Sequence, residues 1–325
     1  MIKRDFLNKK NIKRKKINKC RILCIGDVML DHYVYGRVKR LSPEAPIPIL
    51  INDEEKFVLG GAANVARNLS DLGAQCTLLS IVGNDSASEK IKNLVSLDKN
   101  INSQLLTTKN YTSPIKTRYI NNTGHLLRVD KEKNIFNKNK KLLSNIRKLI
   151  IKNIKKCNLI ILSDYNKGFL NKTLIKEIVK IAKKYNKLII ADPKKNNLGI
   201  YAYIDIITPN VKELNDAAGK NLKNEREIIS FSRSIINKYK IKEILLTRSE
   251  KGMILIGSDY VKKYRATNKK VKDVTGAGDT VISTLALMKA IGFSTEISSQ
   301  ISNYAAGIII GKRGTATLKY DEFMI

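Results

Sequence analysis

The sequence predicts an α/β protein: a central, mostly parallel sheet with helices on both faces, plus a small β lid. Two observations carry this. After residue 137, apolar runs alternate with helical stretches: Leu159–Asp164, helix 171–185, Leu188–Pro193, Ile204–Asn210, a second helix, and Ile244–Arg248. Uninterrupted apolar runs suit strands buried on both faces, and their alternation with helices implies a parallel sheet. By contrast, Tyr33–Val38 with Ile47–Ile51, and Lys116–Ile120 with His125–Asp130, have no helix between them. Their alternation and the Asn121-Asn122-Thr123-Gly124 turn read as hairpins outside that rhythm.

Taken in order, residues 1–20 are rich in Lys and Asn without an apolar period, and are expected to be a mobile leader ahead of a domain over 21–325. Arg21–Gly26 is a short apolar run that delivers Asp27 to its end, with Asp31 following. Ligands of open α/β sheets sit beyond the carboxyl ends of the strands, so either acid could meet hydroxyl groups there; ordinary turn chemistry is the plain alternative. The lid segments fall within 33–59 and 104–130. Between them, Gly60-Gly61-Ala62-Ala63-Asn64 opens a helix whose small residues permit close approach, and Asn64 can both donate and accept. Tight helix packing accounts for the same small residues. The later strands end in Asp164, Asp192, Asn210 and Thr247, lining one edge of the sheet.

The stretch richest in chemistry is Asp273-Val274-Thr275-Gly276-Ala277-Gly278-Asp279-Thr280, followed by an apolar run to Met288. The first amides of a helix lack internal partners and sit at the positive end of its dipole, which makes them anion ligands. Gly276, Ala277 and Gly278 would supply such amides, and Asp279 beside them reads as a general base next to an anion hole. An ordinary first-turn acid is the bland alternative. A dinucleotide fingerprint would need glycine where Val281 stands, and no segment supplies a Walker A loop; Gly307–Lys312 has too short a spacer and Arg313 follows it.

Composition bounds the partners. With 61 basic and 29 acidic residues the formal charge is +32, a value that ordinarily suggests nucleic acid or an anionic surface. Lys, Asn and Ile recur throughout, however, so compositional drift is preferred, and nucleic acid and membrane are not expected as partners. Cys20, Cys24, Cys76 and Cys157 make no metal or disulfide pattern, and their apolar neighbours suggest core positions in a reducing, cytoplasmic setting.

The Asp273–Thr280 run resembles the C-terminal signature of the ribokinase-like (PfkB) sugar kinases, and Gly60–Asn64 resembles their N-terminal GG…N signature. The resemblance covers about residues 21–318. The segments Gly26–Asp31, Leu41–Pro48, Ser163–Gly168, Thr208–Asn210 and Leu246–Met253 are similar to those of the D-glycero-β-D-manno-heptose 7-phosphate kinases of that family. It implies a ribokinase-like fold and ATP-dependent phosphorylation of the anomeric hydroxyl, with Mg²⁺ and possible use of K⁺. It also implies a homodimer joined through the lid. Asp279 is then the catalytic base, with Gly276, Ala277 and Gly278 as the anion hole. Asn210, Val211, Lys212 and Glu213 match the N-x-x-E motif at the Mg-ATP phosphates, with Glu213 reaching the metal through water. Thr247, Ser249 and Gly252 would wrap the nucleotide; Asp31, Gly61 and Asn64 would hold the sugar. Asp273 and Thr275 fall where some relatives bind a monovalent cation through carbonyls. A substrate phosphate needs its own cation, for which Lys167, Arg118, Arg128 and Lys116 are the candidates. Asp192–Asn197 departs from the family's DPKG. The two histidines, His32 and His125, form no HxGH motif, so the adenylyltransferase activity of bifunctional relatives is not expected here. A kinase of another small sugar, or a basic nucleic-acid-binding protein, are the competing readings.

Overall fold

The computed structural model describes residues 12–133, 140–194, 196–268, 271–312 and 314–323. Its centre is a nine-stranded sheet in the order β13-β12-β11-β10-β9-β8-β1-β4-β5. The strands are β1 (Arg21–Gly26), β4 (Gln75–Val82), β5 (Ile101–Thr107), β8 (Leu159–Ser163), β9 (Leu188–Asp192), β10 (Ile206–Ile207), β11 (Glu243–Thr247), β12 (Met253–Ile256) and β13 (Val261–Tyr264). From β5 to β11 all pairs are parallel; β12 and β13 add an antiparallel edge. Patterning alone delineates neither β4 and β5 nor that edge hairpin.

Alternation along each strand divides the core in two. Ile22 and Cys24 join the apolar cluster on one face, Leu23 and Ile25 the cluster on the other. The helices are α1 (Arg14–Ile17), α2 (Ala62–Asp71), α3 (Ser86–Ser96), α4 (Lys140–Ile154), α5 (Lys172–Lys184), α6 (Val211–Ala218), α7 (Glu225–Tyr239), α8 (Ala277–Ala290), α9 (Thr295–Ile309) and α10 (Tyr320–Phe323). Helices α4, α5 and α7 are amphipathic, each burying an Ile-rich stripe. Helix α8 is buried on every side from Asp279 to Met288, which is why its sequence is apolar without a polar face.

The chain runs outward from β1 through β4 to β5, then returns to build β8 to β11 on the other side of β1. The order therefore reverses between β1 and β8, and the crevice at such a switch point is where open α/β sheets bind ligands.

The second sheet has the order β3-β2-β6-β7, built from β2 (Val28–Leu41), β3 (Pro48–Gly61), β6 (Thr112–Asn121) and β7 (Gly124–Lys133). Its strands are longer than the sequence pattern indicates: β2 leaves β1 after Asp27 alone, and β3 runs directly into α2. The sheet thus grows out of the crevice.

The leader expected over 1–20 is described only from residue 12, and there the structure departs from expectation. Ile12 and Ile17 are buried in the core, Tyr320 donates to the Ile12 carbonyl at 3.3 Å, and Arg14 stacks over the Tyr320 ring. Two isoleucines spaced along a basic segment were enough to dock it, although no apolar period announces them. Ile17→Ala should therefore lower the unfolding free energy by roughly 2–4 kcal/mol, seen as a reduced denaturation midpoint at unchanged slope; a shift below about 0.5 kcal/mol would mean that the segment contributes no packing.

Candidate active site

The crevice is built by chain segments that end there. From β1 comes Asp27, fully buried. Its carboxylate accepts the backbone N–H groups of Tyr165 (2.9 Å), Lys167 (3.1 Å) and Phe169 (3.3 Å), stapling the loop after β8 to the end of β1. This is a structural task, and it takes Asp27 away from any ligand. Burial, and then the neighbouring Asp164, push the Asp27 carboxyl up to about 6 against the pull of those amides.

Helix α2 opens at Gly61, whose φ of +60° is left-handed; an added Cβ there would lie 2.4 Å from the Asp27 carbonyl oxygen. Helix α8 opens at Gly276, φ +81°. The two helix starts meet through side chains. Asn64 Nδ2 donates to Asp279 Oδ2 at 2.7 Å, and Thr280 Oγ1 donates to Asn68 Oδ1 at 3.0 Å, both pairs buried. Asp279 Oδ1 accepts the Tyr165 hydroxyl at 2.5 Å. Burial raises the Asp279 carboxyl above its ordinary value, while Tyr165, Asn64 and Lys194 pull it down. Of the glycine-loop amides, that of Ala277 turns back to the Val274 carbonyl at 3.2 Å, and Gly278 lies exposed beside Asp279.

On one side of Asp279 stands the small sheet. Asp31, on β2, accepts Arg118 Nη1 at 2.6 Å with both side chains nearly buried. Lys167 is paired with Glu132, and Arg128, largely exposed, with Asp130 at 2.9 Å. Lys116 makes no carboxylate pair among the described residues; its Nζ lies 5.8 Å from the Tyr165 ring centre, and burial lowers its proton affinity.

On the other side, Asn210 caps α6. Its side chain accepts the Glu213 N–H at 2.9 Å, and its own N–H donates to Glu213 Oε2 at 2.8 Å. The N-x-x-E spacing is thus a capping box. The other Glu213 oxygen holds Lys194 Nζ at 2.5 Å, and Lys194 also reaches Asp192 at 3.4 Å. Burial drives Asp192 up to about 7, while Lys194, by contrast, is held charged by its two carboxylates. Val211 and the exposed Lys212 form the first turn of α6. Thr247 bridges to Asn210, Ser249 begins a short turn, and Gly252 closes it where a Cβ would meet the Tyr264 carbonyl oxygen at 2.1 Å. The Asp273 carboxylate is taken by the amides of Thr275 and Gly314, both at 2.9 Å.

Two residues here escaped the sequence reading: Tyr165 and Lys194. Both follow strand ends singled out for their aspartates, so position along the sheet edge was the available signal.

A carboxylate at a glycine-opened helix start, in a switch-point crevice between a cation-bearing sheet and a capped helix, is an arrangement suited to phosphoryl transfer to an alcohol group. The chain belongs to the pfkB family of carbohydrate kinases, whose profile matches residues 19–321. It is 39% identical over 303 residues to the bifunctional protein HldE of Acidiphilium cryptum, covering 93% of this chain and 62% of that protein. With the HldE of Aliarcobacter butzleri it shares 38% over 93% of this chain and 63% of that protein. The chain thus spans less than two thirds of these relatives. Among solved structures, phosphofructokinase-2 of Escherichia coli in complex with potassium superposes with a TM-score of 0.78 at 18% identity, covering 94% of this chain and 96% of that one. Ribokinase of Arabidopsis thaliana, complexed with ribose and ATP, gives 0.72 at 17%, over 94% and 97%. At such identities these structures establish the ribokinase-like fold alone.

The Asp27 carboxyl yields a pH prediction. Its folded value of about 6 lies above the ordinary 3.8, so its stabilising contribution is complete below about pH 4 and lost as pH rises through 6. Unfolding free energies measured from pH 4 to 7 should fall less steeply in Asp27→Asn than in the parent protein; an equal slope would contradict the assignment.

Proposed function

We propose that the chain phosphorylates the anomeric hydroxyl of D-glycero-β-D-manno-heptose 7-phosphate with ATP, giving the 1,7-bisphosphate and ADP for ADP-heptose and lipopolysaccharide core synthesis. The observation that carries it is the buried Asp279 carboxylate at the start of α8, set between the Lys116–Arg118 side and the Lys194–Glu213 side of one crevice. The similarity to HldE proteins over nearly the whole chain supports the heptose as substrate.

In this reading Asp279 takes the proton of the attacking hydroxyl, and the backbone at Gly276 and Gly278 stabilises the charge on the transferring phosphoryl group, the Ala277 amide being engaged by the Val274 carbonyl. Asp31, Gly61 and Asn64 line the sugar subsite. Thr247, Ser249 and Gly252 border the nucleotide, whose phosphates lie toward Asn210, Val211, Lys212 and Glu213. Phosphoryl transfer is mostly positioning and charge neutralisation, so Lys194, charged and facing this gap, is suited to the donor phosphates. Among the described residues no cluster of His, Cys, Asp or Glu could hold a metal ion. This suits Mg²⁺, which is commonly carried by substrate phosphates and water with one or two carboxylates, here Glu213. Bound there, the ion would supply neutralisation of phosphate charge. A K⁺ near Asp273 and Thr275 would rest on their carbonyls, since the Asp273 carboxylate is engaged.

Arg118, Lys167 and Arg128 already hold carboxylates, so Lys116 is the cation best placed for the 7-phosphate. The small sheet exposes Leu41, Ile47, Ile51, Leu127 and Val129, an apolar set suited to a homodimer joined through this sheet. No helix among the described residues is long and apolar enough to cross a membrane, and a cytoplasmic setting is proposed.

The decisive assay is ADP release with heptose 7-phosphate compared with fructose 6-phosphate and ribose; a clear preference for either of the latter would replace the substrate. Asp279→Asn should reduce kcat by at least ~10²-fold while ATP still binds, and retention of more than about a tenth of the activity would remove Asp279 as base. Lys116→Ala should raise the KM for the sugar phosphate at least about tenfold with little change for ATP, as expected for loss of a charge-assisted contact; an unaltered sugar KM moves the phosphate site elsewhere. Sedimentation should show a dimer that Leu127→Lys dissociates, and a monomeric parent protein would refute the proposed interface.

A further inference from the structure

We infer that Tyr165 is a positioning residue for phosphoryl transfer, its phenol hydroxyl orienting the Asp279 carboxylate and keeping it charged inside the crevice. This rests on Asp279 being the base.

The geometry is specific. Tyr165 lies two residues beyond the end of β8, and its N–H is fixed by Asp27. The next residue, Asn166, takes a left-handed φ of +56°, so the chain turns sharply and the ring projects toward α8. There the hydroxyl meets Asp279 Oδ1 at 2.5 Å while Asn64 occupies Oδ2 at 2.7 Å. Each carboxylate oxygen keeps one further lone pair for a substrate hydroxyl. The ring is flanked by Lys116 and Lys194, whose Nζ atoms lie 5.8 and 5.7 Å from its centre. Phenol and amide thus hold the two carboxylate oxygens, and the ring that carries the phenol lies between two ammonium groups.

The electrostatics of Asp279 come from every element packed around it. Asn64 of α2 and Tyr165 after β8 donate to it, and Lys194 after β9 attracts its charge. Asp31 of β2 repels it, as does Asp192 at the end of β9, and the Cys24 thiol of β1 lies close enough to feel it. Burial raises this carboxyl, and Tyr165 is the strongest of the influences that oppose the rise. The phenol keeps its own proton, because burial and then Asp279 raise it far above the ordinary value. It therefore acts as a fixed donor. In the step itself, the sugar O–H bond breaks as Asp279 gains the proton. The sugar oxygen bonds the γ-phosphorus, and the bond from that phosphorus to ADP breaks. Tyr165 exchanges no proton with the substrate; its donor bond favours the ionised state from which the step begins.

The test needs no substrate. Protein labelled with ¹³C at the aspartate carboxyls gives an Asp279 resonance identified by its loss in Asp279→Asn. Its titration midpoint should rise by about one pH unit in Tyr165→Phe, the scale of one lost hydrogen bond to a charged group. It should fall when 3-fluorotyrosine, a more acidic donor of the same shape, is placed at 165. The fluorinated protein retains the ring and serves where Tyr165→Phe does not fold. In turnover, the acid limb of the kcat profile should move upward equally in Tyr165→Phe, about a tenfold loss on that limb, with the KM for ATP unmoved. A midpoint unchanged in Tyr165→Phe, or raised by fluorination, overturns the inference. An active Asp279→Asn overturns instead the assignment of the base, whatever the titration shows.

Discussion

The structure depends on a buried polar lock between two helix starts. Asn64 and Asn68, one turn apart on α2, reach Asp279 and Thr280 at the head of α8. Each buried donor or acceptor left unpaired would cost about 1–3 kcal/mol, so the two helices have a single favourable registration. Gly61 and Gly276 make that registration possible, since left-handed backbone at both points lets the helices begin at the mouth of the crevice. The apolar body of α8 then anchors the pair against the central sheet.

Around that lock the strand ends bring several carboxylates into one low-dielectric space. Asp27, Asp164, Asp192 and Asp279 are all nearly or fully buried, and Asp27, Asp192 and Asp279 are pushed upward by burial. The fold manages this in three ways. Backbone amides neutralise Asp27, Tyr201 and the Asn166 amide occupy Asp164, and Lys194 spans Asp192 and Glu213. The same arrangement keeps charged groups fixed before a ligand arrives, the condition under which electrostatic stabilisation of a transferring phosphoryl group is largest. Few of these groups are free to reorganise.

The small sheet follows a different logic. Its strands carry cations and acids that pair across neighbouring strands, as Arg118 does with Asp31 and Arg37 with Asp53, and Glu132 of β7 pairs with Lys167 of the loop after β8. Of the four candidate cations Lys116, Arg118, Arg128 and Lys167, pairing leaves Lys116 without a carboxylate partner among the described residues. In register Lys116 stands opposite Asp31 and Asp130, but those carboxylates are held instead by the longer Arg118 and Arg128.

The sequence by itself determined the alternating α/β architecture, the second sheet and the candidate site around Asp279. Those features are local: apolar runs of strand length, helical periods, and glycines that only helix starts and tight turns require. The N-x-x-E match of Asn210 to Glu213 was legible too, and the contact that the structure gives it, a capping box, is likewise local. What only the tertiary structure decided depends on residues distant along the chain. Asn64 lies 215 positions from Asp279 and Tyr165 lies 114 from it, so their convergence on one carboxylate has no local signature. The packing of Ile12 and Ile17 against the core was hidden for the same reason, since a surface to receive them exists only once the sheet and α10 have formed. Asp27 and Asp31 look alike in sequence, yet one binds three backbone amides and the other an arginine. Their division of labour was set by β1 ending inside the sheet and β2 leaving it.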